Sequence, residues 1–466
     1  MGANCQVVPF VQRESEWDTL NWGYLARWEA LLPAQPDGTT VQYRIGGWRE
    51  GQAEVFADFP DVQSIAERAA WNYFHGHPVN EIPPSVGQSA GATFAYHVDT
   101  FTVPKWAREA VIYQILTDRF YPGDGKEFLQ TSALNQPMGG TLLGVRDRLG
   151  YIADLGATCL WLSPAWVSYS VHGYDVIDYM TTADYLGGDA AMHTLIDAAH
   201  QRGIRVLFDL PCNHVSHENP YFQEALKDPY SRYRSWFTFD DSAIGYRTFF
   251  NVRSMPELNL ANPEARDWMV DIGRYWLREF DIDGYRLDVA NGPGPDFWTY
   301  FHAAGKDQKP DSIYLGEVVD TPDAQRAYVG RLDGCLDFYT TEQLRLTFAG
   351  KTQPPADFER SYARHHAHFP ADFLLPTFLD NHDVNRFLHI ADGDKAALRA
   401  ALKCQFSLPN PPILYYGTEV GLSHERDTRQ AGQEAGRVPM IWGDQQDKQL
   451  LADVTAMIHA RRSPSP

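Results

Sequence analysis

The chain has 466 residues, with 40 Lys plus Arg against 60 Asp plus Glu and a formal net charge of −20 at pH 7. That acidity excludes a nucleic-acid backbone or an anionic membrane as the natural partner and fits a neutral substrate. Apolar content of 44% and charged content of 21% are ordinary for a soluble globular protein, and the length predicts two to four domains of roughly 100–200 residues, fewer if one is a barrel.

Residues 1–104 read as mostly β. "VQYRIGGW" and "TFAYHVDTFTVP" alternate apolar and polar residues between turn signals such as "QPDG". The expectation is an N-terminal β-sandwich. Its aromatic stretches "NWGYLARWEALLP" and "WNYFHGHP" are expected to fill the sandwich core.

From Ala110 onward the pattern changes to strand, loop and helix, repeated. The predicted strands are "AVIYQIL", "ATCLWLS", "IRVLFDL", "IDGYRLDV", "SIYLGEV", "GCLDFY", "FLLPTFLD" and "PILYYG". Helical spacing fills the gaps, as in "GGDAAMHTLIDAAHQRG" and "DKAALRAALKCQF". "NPEARDWMVDIGRYWLREF" opens with Asn262 as a cap and Pro263 at the first helical position. Strands alternating with helices imply parallel pairing, and eight such units imply an α/β fold, a (β/α)8 TIM barrel over 105–466. One connection is too long for a simple loop. About fifty residues separate the third strand from the next helix, against the usual two to six, so 215–261 is expected to form a small inserted subdomain.

Chemistry collects where such a barrel carries its site, at the C-terminal strand ends. Asp209, Asn213 and His214 follow the third strand. Arg286 and Asp288 end the fourth, Glu317 ends the fifth, and Asp380, Asn381, His382 and Asp383 end the seventh. Arg286 and Asp288 are two apart on a strand and share a face. A guanidinium beside a carboxylate is expected to keep Asp288 ionised. Glu317 is flanked by Leu315, Val318 and Val319, with no neighbouring cation in the sequence, so its pKa is expected to rise.

"DLPCNH", "GYRLDVAN", "LGEV" and "FLDNHD", in that order and on those strands, resemble the α-amylase family of glycoside hydrolases. The resemblance runs from about Ala110 to the end. "MPELN" in the insert and the β-rich N-terminal part resemble the neopullulanase, cyclomaltodextrinase and maltogenic amylase branch. The resemblance implies a retaining hydrolase of α-glucans, maltooligosaccharides or cyclodextrins that works through a covalent glycosyl-enzyme. It assigns Asp288 as nucleophile, Glu317 as general acid/base and Asp383 as the third carboxylate, which holds sugar hydroxyls. His214, Arg286 and His382 would grip the sugar being cleaved. Tyr174 would stack beneath it with His172 close by, and Arg437 would serve the same subsite.

Two positions depart from the family pattern. Many relatives hold calcium near the position of Asn213, with a histidine after the nucleophile motif. Here that place reads Asn291-Gly292, which argues against calcium at that site, although oxygen ligands elsewhere could hold one. The assigned roles require no cofactor and no metal. Val171 stands where some relatives carry an acidic partner for the subsite arginine, which weakens the match at Arg437.

Other features read more plainly. "HHAH" at His365, His366 and His368 is expected to be a solvated helix face. The five cysteines, Cys5, Cys159, Cys212, Cys335 and Cys404, are scattered and form no CxxC pair, so reduced thiols in a cytoplasmic protein are expected. The first six residues lack a basic-then-apolar leader, and no apolar run is long enough to span a bilayer. Partners are expected to be an α-glucan substrate and, through the aromatic N-terminal part, a second copy in a homodimer. Two alternatives stay open: a glucanotransferase using the same chemistry, and a catalytically inactive carbohydrate-binding barrel.

Overall fold

The computed structural model describes residues 6–18, 23–57, 92–131 and 133–462. The stretch "WNYFHGHP" lies outside the described residues. The chain divides into two compact units, one of residues 1–41 with 97–100 and one of 42–96 with 101–466. In the N-terminal part, β1 (Val11–Asp18) pairs antiparallel with β2 (Gly23–Glu29). β3 (Thr39–Tyr43) pairs with β6 (Phe94–Val98), and β4 (Gly46–Gly47) pairs antiparallel with β5 (Val55–Phe56). Tyr24 and Trp28, from the stretch expected to fill a core, are exposed, as is Trp17 on the facing strand.

The barrel strands are β7 (Ile112–Ile115), β8 (Cys159–Leu162), β11 (Arg205–Pro211), β12 (Gly284–Asp288), β13 (Ile313–Gly316), β14 (Gly334–Cys335) and β15 (Ile413–Tyr415). A small antiparallel pair, β9 (Trp166–Ser168) and β10 (Val176–Thr182), lies in the loop after β8. The seven form one parallel sheet in the order β14-β13-β12-β11-β8-β7-β15. The eighth member is the segment 373–380. It closes the ring through the parallel bridges Gly334–Leu374 and Thr377–Pro412. Its ladder is broken because Pro376 has no N–H to give, and Pro411 and Pro412 cannot donate across from it.

Alternation along these strands sorts the core into two layers. Val111, Tyr113, Leu160, Leu162, Val206, Phe208, Tyr285 and Leu287 face the helices. Ile112, Cys159, Leu207, Ile313, Leu374 and Ile413 fill the barrel interior. On that inner face the residues change character toward the C-terminal ends. Ile112 is followed by Gln114, Leu207 by Asp209, and Leu315 by Glu317. The apolar plug at the base thus supports a polar layer at the top, as a barrel with its site at that face requires. Gly284, which opens β12, is needed there. Its φ is +139°, and a Cβ would lie 2.0 Å from the Ile313 carbonyl oxygen.

The helix Pro263–Glu279 shows how local sequence locks this frame. The Asn262 side chain accepts hydrogen bonds from the Glu264 and Ala265 amides at 2.9 and 3.2 Å, a cap worth about 1 kcal/mol. Ala265, Met269, Ile272 and Trp276 recur on one face and are buried. The Trp276 ring packs edge-on to Trp166, 4.7 Å between centroids, and against Phe208 at 5.0 Å, which holds the helix over β11.

Residues 215–261 contain the helix Pro220–Lys227 and short bridges, Phe237–Leu258 and Thr248–Pro256 among them. The segment is stitched to the end of β11. The Leu258 amide donates to the Asn213 carbonyl at 2.9 Å, and buried Glu257 of "MPELN" pairs with Arg247 at 2.7 Å. His365 corrects an expectation. It is buried and hydrogen-bonds Asp337 Oδ1 at 3.0 Å, so this face of the "HHAH" helix packs inward instead of toward solvent.

Candidate active site

Register sets the site. β11 pairs with β12 so that Asp209 lies beside Arg286, and β12 pairs with β13 so that Leu287 lies beside Gly316. Glu317 therefore follows directly alongside Asp288, and the Glu317 amide donates to the Leu287 carbonyl at 2.9 Å.

Arg286 is the hub. Its Nη1 donates to Asp209 Oδ1 and to Asp288 Oδ1, both at 2.7 Å. Its Nη2 lies 2.8 Å from Glu317 Oε2. Only a planar fork serves three carboxylates this way. Glu317 also accepts from the Val289 amide at 3.0 Å. Val289 has a φ of +43°, a strained conformation for a β-branched residue, and it turns that N–H toward Glu317.

Beneath the hub runs a chain of side chains. Asp209 Oδ2 accepts from Trp161 Nε1 at 2.9 Å and from the Tyr174 hydroxyl at 3.0 Å. That hydroxyl lies 2.6 Å from His382 Nε2, and His382 Nδ1 lies 2.7 Å from Gln114 Nε2. If the Gln114 amide donates to Nδ1, the proton of neutral His382 sits on Nε2. The Tyr174 and His382 rings are parallel, 5.4 Å apart. His172 Nδ1 accepts from the Tyr174 amide at 3.1 Å. His214 is buried and stacked on Phe249 at 4.7 Å. Asp383 Oδ2 lies 3.1 Å from His382 Nε2, and its Oδ1 accepts from Arg437 Nη2 at 3.0 Å.

The charges are strongly coupled. Burial pushes Glu317 up to about 7; Arg286 opposes this, and Asp288 and Asp383 reinforce it. Asp288 departs from expectation. Burial, the largest influence, outweighs Arg286, and with Asp209 and Asp383 nearby its carboxyl is pushed up to about 7. Burial likewise takes Asp209 up to about 6. Physically, one guanidinium cannot neutralise three buried carboxylates, so burial raises all three together. Asp383 goes the other way. Burial would raise it, but His382, Arg437 and Arg286 together hold it below the ordinary range. Burial lowers His382 and His172 to about 3 and His214 to about 4, so all three are neutral donors and acceptors at pH 7.

The structure thus gathers Tyr174, His172, His214, Arg286, Asp288, Glu317, His382, Asp383 and Arg437 at one end of the barrel. Sequence reading gave no role to Gln114 or Trp161, although both are buried polar side chains on inward strand positions, which is the signal that finds them. Among the described residues no three His, Cys, Asp or Glu side chains converge as a metal-ligand set. A Cβ at Gly292 would lie 2.0 Å from Asn213 Oδ1, so backbone fills the space beside that amide. Among the described residues, no helix is long and apolar enough to cross a membrane.

Known proteins share the family and the fold of this chain. A family model described as Alpha amylase, catalytic domain, matches residues 114–458. The chain is 41% identical over 370 residues to Alpha-amylase 2 of Dictyoglomus thermophilum, covering 78% of this chain and 65% of that protein. It is 34% identical over 390 residues to the Intracellular maltogenic amylase of Bacillus subtilis, covering 79% and 64%. The chain thus spans just under two thirds of the length of these relatives. A solved Cyclomaltodextrinase superposes with a TM-score of 0.72 at 30% identity, over 82% of this chain and 68% of that one. The Cyclic alpha-maltosyl-(1-->6)-maltose hydrolase of Arthrobacter globiformis superposes with a TM-score of 0.71 at 29% identity, over 78% and 86%. With the family model running from β7 into the last helix, Lys448–Arg462, the chain belongs to the alpha-amylase family.

Proposed function

We propose that the protein hydrolyses α-glucosidic bonds with retention of configuration. One observation carries the reading: a single guanidinium, that of Arg286, holds Asp288 and Glu317 at 2.7 and 2.8 Å. Two carboxyls gripped by one group favour the short spacing of about 5–5.5 Å used by retaining enzymes over the wider gap that admits an attacking water. In the first step an Asp288 oxygen attacks the anomeric carbon as the glycosidic C–O bond breaks, and Glu317 gives its proton to the leaving oxygen. In the second, Glu317 takes a proton from water, whose oxygen displaces Asp288 and leaves an α-hemiacetal. Arg286 supplies the fixed positive charge that lets Asp288 leave again as a carboxylate. Asp383, held ionised, accepts sugar hydroxyl protons whose bonds tighten in the transition state.

The names of the relatives, an intracellular maltogenic amylase and a cyclomaltodextrinase, support maltooligosaccharides or cyclodextrins as substrates and a cytoplasmic setting. NMR of the first product formed from maltotriose or β-cyclodextrin tests the reading. The α-anomer is expected, and initial release of the β-anomer would overturn it.

A further inference from the structure

Val171 leaves Arg437 without an acid from the loop after β8. The structure supplies a carboxylate from the other side. The chain turns at Gly432, with φ +83°, into the short 3-10 turn Gln433–Gly436. That turn brings two side chains onto the Arg437 guanidinium. Nη1 donates to Glu434 Oε1 at 2.7 Å, and Nη2 donates to Gln433 Oε1 at 3.2 Å and to Asp383 Oδ1 at 3.0 Å. Nε donates to the His382 carbonyl at 2.8 Å. All three nitrogens are therefore engaged, and Arg437 is buried. Glu434 is itself framed by Arg119, whose Nη2 lies 4.0 Å from Oε2 and whose Nε donates to the Arg437 carbonyl at 3.2 Å.

We propose that Glu434 is a positioning residue for the reaction. It holds Arg437 so that the guanidinium meets Asp383 through one oxygen only, leaving the carboxylate able to receive sugar hydroxyls. The physical reason is competition. A guanidinium with one available carboxylate closes on it as a two-pronged fork. In this site Nη1 is occupied by Glu434, so the fork is split between two acids. Without Glu434, Asp383 is the one carboxylate left to Nη1 among the described residues, and the fork would cover the oxygens that the substrate needs. The assignment rests on the hydroxyl-holding role proposed above for Asp383.

The test compares Glu434→Ala, Glu434→Gln and Asp383→Ala on α-glucosyl fluoride and on its analogues lacking the 2- or 3-hydroxyl. Glu434→Ala is expected to lower kcat/KM about tenfold on the parent fluoride, the size of one charge-assisted hydrogen bond. The loss is expected to shrink below about threefold on at least one deoxy analogue, because the hydroxyl that Asp383 would hold is gone. Glu434→Gln keeps an acceptor for Nη1 and is expected to recover most of the loss. Equal losses on all three fluorides, no loss at all, or losses that track a lowered melting temperature would overturn the proposal. Asp383→Ala separates the two readings. If it stays active, the role of Asp383 is wrong; if it is inactive while Glu434→Ala is unaffected, only the role of Glu434 is wrong.

Discussion

Glu317→Gln is expected to make the protein more stable while nearly abolishing its activity. Glu317 is buried, and its carboxyl is moved from an ordinary 4.5 to about 7. The folded state therefore keeps a proton that the unfolded chain has already released. A group raised in this way contributes stability that is complete below about pH 4.5 and is lost as pH climbs through 7. Above pH 7 the fold carries a buried charge that water would solvate better. At 1.36 kcal/mol per tenfold change in proton affinity, the full displacement is worth ~3 kcal/mol. Asp288 and Asp209 are coupled to Glu317 through the same guanidinium, so about 1–3 kcal/mol is expected for removing one member. Glutamine keeps the shape and abolishes the titration. Scanning calorimetry should thus show a melting temperature a few degrees above the parent at pH 8 and close to it at pH 5. The kcat for a natural oligosaccharide should fall by several orders of magnitude. A shift of the same size at both pH values, or a melting temperature lowered at pH 8, would refute the claim that burial governs this carboxyl.

Arg286→Lys keeps the charge but offers a point in place of a fork; losing two contacts of about 1.5–3 kcal/mol each predicts a fall in kcat of roughly 10²–10⁴. Titrating both limbs of the pH–rate profile should show them moved upward, and a loss under about tenfold with unmoved limbs would mean that Arg286 does not organise the carboxyls. The exposed rings Trp17, Tyr24 and Trp28, at 47, 73 and 53%, predict self-association of the full chain. Light scattering over a range of concentrations should report a dimer, and a monomer mass throughout would leave these rings unexplained.

Much of the barrel is legible because its signals are local. A strand of alternating residues, a Gly or Asn-Pro boundary and a 3.6-residue stripe each need only a short window. Asn262-Pro263 announces its helix, and the cap forms as expected. The seventh strand is the instructive exception. Its apolar run is read correctly as a barrel member, but Pro376 and the facing Pro411-Pro412 reduce the ladder to two bridges. The aromatic N-terminal stretch misleads for a different reason. Composition reports that rings are present but not which side of a two-stranded ribbon is covered, so Tyr24 and Trp28 stay out of the core expected for their stretch.

The site divides along the same line. Its members are legible because each follows a strand end, and a parallel barrel carries all strand ends to one face. Their electrostatics are not, since charge acts across chain distances that spacing cannot express. Two positions separate Arg286 from Asp288, so the sequence pairs them and expects an ionised carboxylate. Thirty-one separate it from Glu317, yet the guanidinium lies as close to that carboxyl as to the first. Once Asp209 arrives from β11, one positive charge is divided among three buried acids, and burial outweighs attraction at each of them. The same geometry explains Arg437. Val171 alone leaves an arginine stranded; the fold returns a carboxylate from Glu434, three residues before the arginine itself. A missing partner in one motif is thus no sign of an unpaired charge where a barrel brings every loop to the same rim.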